Sequence, residues 1–207
     1  MAVRIEIQEL SSAHHADAAD LAARAMADNP NHVAAFGSDA EGRVTSLRRM
    51  FTVVLGQQLS RGIVLGAFRS GKLVGVLGMM PPGRCPSVLA GKMTALSTLL
   101  LGSGLKNSRH VLEWMEDWKE SDAEVTHWHL GPMGVEPRWQ GHGIGIALLQ
   151  ESCQRIDEDC CAAYLENDRV ENVPLFERFG FEVADEHEVL GHRNWFMLRD
   201  ADRGAGA

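Results

Sequence analysis

Residues 139–149, Trp-Gln-Gly-His-Gly-Ile-Gly-Ile-Ala-Leu-Leu, constrain this chain more than any other stretch. Gly141, Gly143 and Gly145 follow an apolar, strand-like run and lead straight into residues with helical apolar spacing. A strand that turns through glycines into an amphipathic helix requires a sheet with helices packed on it. Glycine also lets backbone amides turn towards a ligand with no Cβ in the way. A helix N-terminus adds unsatisfied N–H groups and a partial positive charge. The combination is a socket for a phosphate or pyrophosphate.

The rest of the chain supplies that sheet. Residues 3–10 alternate as a strand should, with Ile5 and Ile7 on one face. Ser11 or Ser12 can cap a helix to about Ala27, with Leu21, Ala22, Ala25 and Met26 on its buried side, and Asp28-Asn29-Pro30-Asn31 breaks it. A second helix is expected over 39–61, where Val44, Leu47, Phe51, Val54, Leu55 and Gln58 recur at helical spacing. Strands at 63–68 and 73–80 are joined by Ser70-Gly71-Lys72, a hairpin signature. Residues 87–120 read as two helices parted at 102–104, with Trp114 and Trp118 as core or groove wall. Then come a strand at 125–135, a helix at 143–159, a strand at 162–166, a helix at 172–179 and strands at 181–187 and 194–198. The expected architecture is α/β (α+β): one domain over 1–200, a mixed central sheet flanked by helices, and a disordered tail over 201–207.

Composition narrows the partners. A net charge of −8 argues against nucleic acid, whose phosphates call for basic patches. No apolar run reaches the ~20 residues that span a bilayer, and the alternating N-terminus is unlike a signal peptide. Cys85, Cys153, Cys160 and Cys161 form neither a zinc pair nor a disulfide framework, which suggests a reducing cytosol.

The glycine spacing decides among phosphate ligands. Gly-x-Gly-x-Gly differs from the dinucleotide pattern Gly-x-Gly-x-x-Gly, which also belongs on a first βαβ unit. Glu166 lies at the distance where such a fold places its acidic residue, but the loop sits two-thirds along the chain. A P-loop needs Gly-Lys-Ser/Thr, which is absent.

Gln140-Gly141-His142-Gly143-Ile144-Gly145 resembles the Gln/Arg-x-x-Gly-x-Gly/Ala signature of the GCN5-related N-acetyltransferase (GNAT) family. Asn172-Val173-Pro174-Leu175-Phe176-Glu177-Arg178-Phe179-Gly180-Phe181 resembles that family's next motif, at the family's separation. Within the family, Gly134–Pro137, Leu165-Glu166 and Asn172–Arg178 are most like puromycin N-acetyltransferase-like members; that likeness does not carry the acceptor with it. The resemblance implies the GNAT acyl-CoA N-acyltransferase fold, with strands splayed near Val135 and Glu166, and an acetyl-CoA-dependent transfer to a small-molecule amine. It implies that Met133, Gly134 and Val135 pair with the pantetheine arm, that Gln140, Gly141, His142, Gly143, Ile144 and Gly145 take the pyrophosphate, and that Asn172 and Phe176 lie near the thioester end. A homodimer is common in the family.

Acyl transfer to an amine needs a base for the ammonium, stabilisation of the oxyanion and departure of the thiolate. His129, six residues before Val135, is the expected base, with His127 as understudy and Glu166 as another candidate. Strict alternation would put His127, His129, Gly131, Met133 and Val135 on one face. His127 and His129 are spaced like metal ligands, with His142 as a further candidate, but nothing completes a set, and no metal is expected. Phe176 stands where many family members carry the tyrosine proposed as general acid. Three readings follow: thiolate departure without an acid, tolerable for a thiol of pKa ~8.5; another donor, with Tyr164 expected to point away; or acyl-CoA binding without efficient transfer.

Overall fold

The computed structural model describes residues 4–84, 110, 113, 114 and 125–201. Apart from those residues, the two helices expected over 87–120 and the expected tail lie outside the described residues. Seven strands form one sheet in the order β1-β2-β3-β4-β5-β7-β6. They are β1 (Ile5–Glu9), β2 (Ile63–Arg69), β3 (Lys72–Met80), β4 (His127–Val135), β5 (Ala162–Asn167), β6 (Glu182–Val189) and β7 (His192–Arg199). All neighbours pair antiparallel except β4 and β5, which are parallel. The mixed sheet flanked by helices is the architecture expected from the sequence.

Local chemistry explains most element ends. Ser70 and Gly71 have φ of 51° and 72°, the left-handed pair of a two-residue hairpin that suits strand twist. Helix α1 (His15–Ala25) presents Ala18, Leu21 and Ala22 to the core. Helix α2 (Pro30–Phe36) amends the sequence reading. Asn29-Pro30 does end the preceding helix, but it also starts a new one, because proline at the first helical position sacrifices no hydrogen bond. In α3 (Ala40–Arg61) the Asp39 side chain accepts from the Gly42 N–H at 3.3 Å, and Gly62 follows the last turn. Helix α4 (Ile144–Glu158) and the short α5 (Val173–Glu177) complete the described helices.

The sheet has a core on each face. On one, α1, α2 and α3 cover it, with Leu21, Leu47, Phe51, Leu55, Tyr164 and Phe196 buried. On the other, α4 brings Ile144, Leu148, Leu149 and Ile156 against Leu65, Leu77, Met79, Leu130 and Leu165.

Strand β4 breaks the expected alternation. Leu130 pairs with Met79 and Met133 with Leu77, so Gly131 and Pro132 together oppose Gly78 alone. This is a β-bulge, and the additional residue reverses which face later side chains take. Gly131 has φ of +136°, open only to glycine. Hence His127 and His129 lie on the α1/α3 face beside Tyr164, whereas Leu130, Met133 and Val135 belong to the α4 face. The single face expected for His127, His129, Gly131, Met133 and Val135 does not exist.

Candidate active site

Strands β4 and β5 pair only at His127↔Ala162, Trp128↔Ala163 and His129↔Tyr164. Past that point β4 continues to Val135 beside β3, and β5 to Asn167 beside β7. The sheet therefore opens into a wedge, as expected near Val135 and Glu166, where β4 and β5 no longer pair with each other and an added extended chain has room to lie.

At the apex of the wedge, His129 Nε2 lies 2.9 Å from Glu166 Oε2. The Glu166 side chain is only 5% exposed and that of His129 26%. A buried carboxylate needs a hydrogen-bond donor, and the imidazole provides it. With the proton on Nε2 directed at Glu166, the lone pair of the neutral ring sits on Nδ1. Tyr164 does not point away from Glu166. Two residues apart on one strand they share a face, and the buried Tyr164 ring stands edge-on to His129 at 5.5 Å. His127 is buried behind it, its Nδ1 2.7 Å from the Val125 carbonyl.

The glycine loop is built beside this wedge. Gly141 and Gly143 have φ of 75° and 80°, and nothing lies within 4 Å of where a Cβ would stand on either. The N–H groups of Gly141, Gly143 and Ile144 meet no carbonyl among the described residues. Gly143 is the N-cap of α4, so the loop amides and the helix terminus converge. The loop is braced from outside. The Arg69 guanidinium lies 3.6 Å from the Trp139 ring centre, His142 Nδ1 is 2.8 Å from Gln140 O, and Gln140 Nε2 donates to Val135 O at 3.2 Å. The first turn of α4 faces β4: a Cβ on Gly145 would stand 3.9 Å from Val135 Cγ2 and 4.0 Å from Met133 Cε. An anionic pyrophosphate attached to an extended arm fits this arrangement of donors and strand edge.

Residues 110–183 match the family model described as an acetyltransferase (GNAT) domain. An uncharacterised N-acetyltransferase of Schizosaccharomyces pombe is 28% identical over 145 residues, 65% of this chain and 57% of the relative. The match thus spans little more than half of that relative's length. The structure described as histone acetyltransferase HPA2 and related acetyltransferase from Corynebacterium glutamicum superposes with a TM-score of 0.71 at 20% identity, over 95% of this chain and 96% of that one. The PaiA N-acetyltransferase of Thermoplasma acidophilum, in complex with coenzyme A, gives 0.61 at 16% identity, over 95% and 99%. The chain has the fold of the GNAT acetyltransferases. The family match over 110–183 lies within that fold.

Other residues expected at a GNAT site fall as follows. Asn172 stands at the start of α5, its Nδ2 donating to Asn167 Oδ1 at 3.3 Å. Phe176 is buried on the α4 side, edge-on to Phe181 with ring centres 6.2 Å apart. His142 is held in the loop while His127 and His129 pack at Tyr164, and no metal-ligand cluster occurs among the described residues. Among those residues no helix is long and apolar enough to cross a membrane.

A polar network beside the wedge escaped the sequence reading. Asp168, two residues past Glu166, accepts from Asn29 Nδ2 and from the Asn31 N–H, both at 3.0 Å, at the start of α2. Asn31 Nδ2 donates to Asn194 Oδ1 at 2.6 Å, and His32 Nδ1 lies 2.7 Å from Met26 O. Burial pushes the His32 pKa below its ordinary value, outweighing the opposing pull of the Asp168 charge. The ring is thus a neutral anchor, edge-on to Phe51 and to the buried Trp114. The signal for this network was Asn29-Pro30, a cap and first-turn pair as much as a breaker.

Proposed function

We propose that the chain is an acetyl-CoA-dependent N-acetyltransferase that moves an acetyl group directly onto a primary amine of a small molecule. The observation that carries the proposal is the 2.9 Å contact of His129 with Glu166 at the apex of the β4–β5 wedge. Histidine takes up and releases protons near neutrality, and a positioned general base contributes about 10²–10⁴ in rate. In this reading Glu166 holds the ring by Nε2, and Nδ1 takes the ammonium proton so that the amine can attack. Bound coenzyme supplies the acyl group as an activated thioester. Met133, Gly134 and Val135 offer a strand edge to its arm, Gln140 to Gly145 offer amides to its pyrophosphate, and Asn172 and Phe176 flank its thioester end. The finer likeness to puromycin-type members bears on these cofactor motifs and leaves the acceptor open.

A second reading has one observation in its favour: Phe176, without a hydroxyl, packs into the core. It is a weakly catalytic or non-catalytic acyl-CoA-binding module. Tyr164, beside His129, is a donor within the same group of rings. The cytosol as location and a homodimer as assembly belong to the proposal as well.

Calorimetry with acetyl-CoA, coenzyme A and NAD, followed by a thiol-release assay over a panel of amines, tests both. Binding of acetyl-CoA with turnover that His129→Ala abolishes is expected. Binding of NAD in place of acetyl-CoA sinks the proposal, and binding with no thiol release on any amine favours the second reading. Phe176→Tyr should raise turnover where a missing acid limits the rate.

A further inference from the structure

We propose that Gln58 is a positioning residue: its carboxamide clamps the β4 bulge and so keeps His129 on the face where Glu166 lies. The geometric claim stands on its own, and its effect on turnover rests on the acetyltransferase reading.

Gln58 sits on α3 and is buried, on the stripe otherwise formed by Leu47, Phe51 and Leu55. Its Nε2 donates to the Gly131 carbonyl at 2.5 Å. Exchanging the amide atoms would set two oxygens against each other at that distance, so the contact itself decides the orientation. The remaining atom, Oε1, is buried and meets no donor among the described residues. On β3, a Cβ at Gly78 would overlap Gln58 Oε1 and Cδ. Gly78 is the residue that Gly131 and Pro132 together oppose. One side chain therefore fills the space left on the short side of the bulge and bonds the backbone on its long side.

Packing alone does not account for this choice. A buried amide oxygen without a donor carries a desolvation cost that leucine, of similar bulk, would not. What leucine lacks is a donor for the Gly131 carbonyl. That carbonyl belongs to the residue that lets β4 change face between Leu130 and Met133. With Met133 and Val135 kept in register on β3, a strand without the bulge would turn His129 to their face, away from Glu166. Gln58 closes the bulged register from the α3 side, two residues from His129.

The test uses two variants of the full chain, Gln58→Leu and Gly78→Ala. The first removes the donor; the second pushes the carboxamide off the bulge while keeping glutamine. Thermal melting establishes that each is folded. The ring 15N shifts of His129, assigned with His129→Gln, report the hydrogen bond to Glu166 without any substrate. Wild type should show one hydrogen-bonded ring species, and both variants should lose it. With an amine substrate in hand, kcat should fall by up to roughly 10²-fold, the scale of an ångström's misplacement, while the acetyl-CoA dissociation constant stays put. A hydrogen-bonded His129 ring in either folded variant, or its absence in wild type, overturns the inference. Wild-type protein that binds acetyl-CoA but releases no thiol would instead count against the acetyltransferase reading, leaving the ring shifts to decide the clamp.

Discussion

The glycine loop gives the sharpest test, because two of its glycines should respond in opposite ways to one added methyl group. Gly143 caps α4 with φ 80° and ψ 3°. No atom lies within 4 Å of its missing Cβ, so Gly143→Ala meets no clash. Its cost is conformational, about 1–2 kcal/mol for an L-residue in the left-handed region. At about 2–4 °C per kcal/mol for a domain of this size, the melting temperature should fall by about 2–8 °C. Relief of that strain turns the peptide at 143–144 and takes its N–H groups off a bound pyrophosphate. Each charge-assisted hydrogen bond lost is worth about 1.5–3 kcal/mol, so coenzyme A affinity should drop by roughly ten- to 150-fold. Gly145 is the matched control. It lies inside the first turn, its Cβ would make ordinary contacts at 3.9 and 4.0 Å, and its backbone is helical. Gly145→Ala should raise stability by about 0.5–1 kcal/mol and keep most of the affinity. Differential scanning fluorimetry and calorimetry with coenzyme A measure both effects. Wild-type coenzyme A affinity in Gly143→Ala, or a larger affinity loss in Gly145→Ala, would refute the loop as the pyrophosphate site.

Three further outcomes are expected. Glu166→Gln keeps the shape but removes the charge behind His129; kcat should fall about ten- to 100-fold, in line with ~1.5–3 kcal/mol for a charge-assisted hydrogen bond, with coenzyme A affinity retained, and kcat within twofold of wild type would remove Glu166 from the mechanism. His32 has its folded pKa below the ordinary 6.5, so the unfolded chain binds a proton that the fold excludes. Its stability contribution is complete above about pH 6.5 and is lost as pH falls through that value towards the folded pKa; melting temperatures of wild type and His32→Gln should therefore diverge on acidification, and parallel curves would contradict this. Burial pushes the Cys153 thiol up to about 11, which keeps it protonated at neutral pH. Mass spectrometry after iodoacetamide treatment should find the exposed Cys160 labelled and Cys153 labelled only in denaturant; labelling of native Cys153 at the Cys160 rate would show the site to be open.

Periodicity and turn chemistry made most elements readable. The α3 stripe from Val44 to Leu55, the Ser70-Gly71 hairpin and the strand–glycine–helix unit at 125–159 are local signals, and all three formed close to their expected limits. The limits of such reading show at α2 and β4. Asn29-Pro30 ends one helix and begins another with equal local logic; Asp168, 139 residues from Asn29, bonds to Asn29 and Asn31 at the new start. Gln58 appeared only as a polar residue on an apolar stripe, because its partner Gly131 is 73 residues away.

What the sequence determined by itself was the kind of site. The glycines at 141, 143 and 145 specify exposed amides at a helix start, since a residue without Cβ takes the positive φ of Gly141 and Gly143 at no steric cost. Which side chains meet there was decided by tertiary structure. Alternation alone placed His129 with Met133 and Val135; the bulge opposite Gly78 parted them and gave His129 to Glu166 and Tyr164. A single additional residue in a strand reverses every later side chain, and whether it is accommodated depends on the neighbouring strand and on the helix above it.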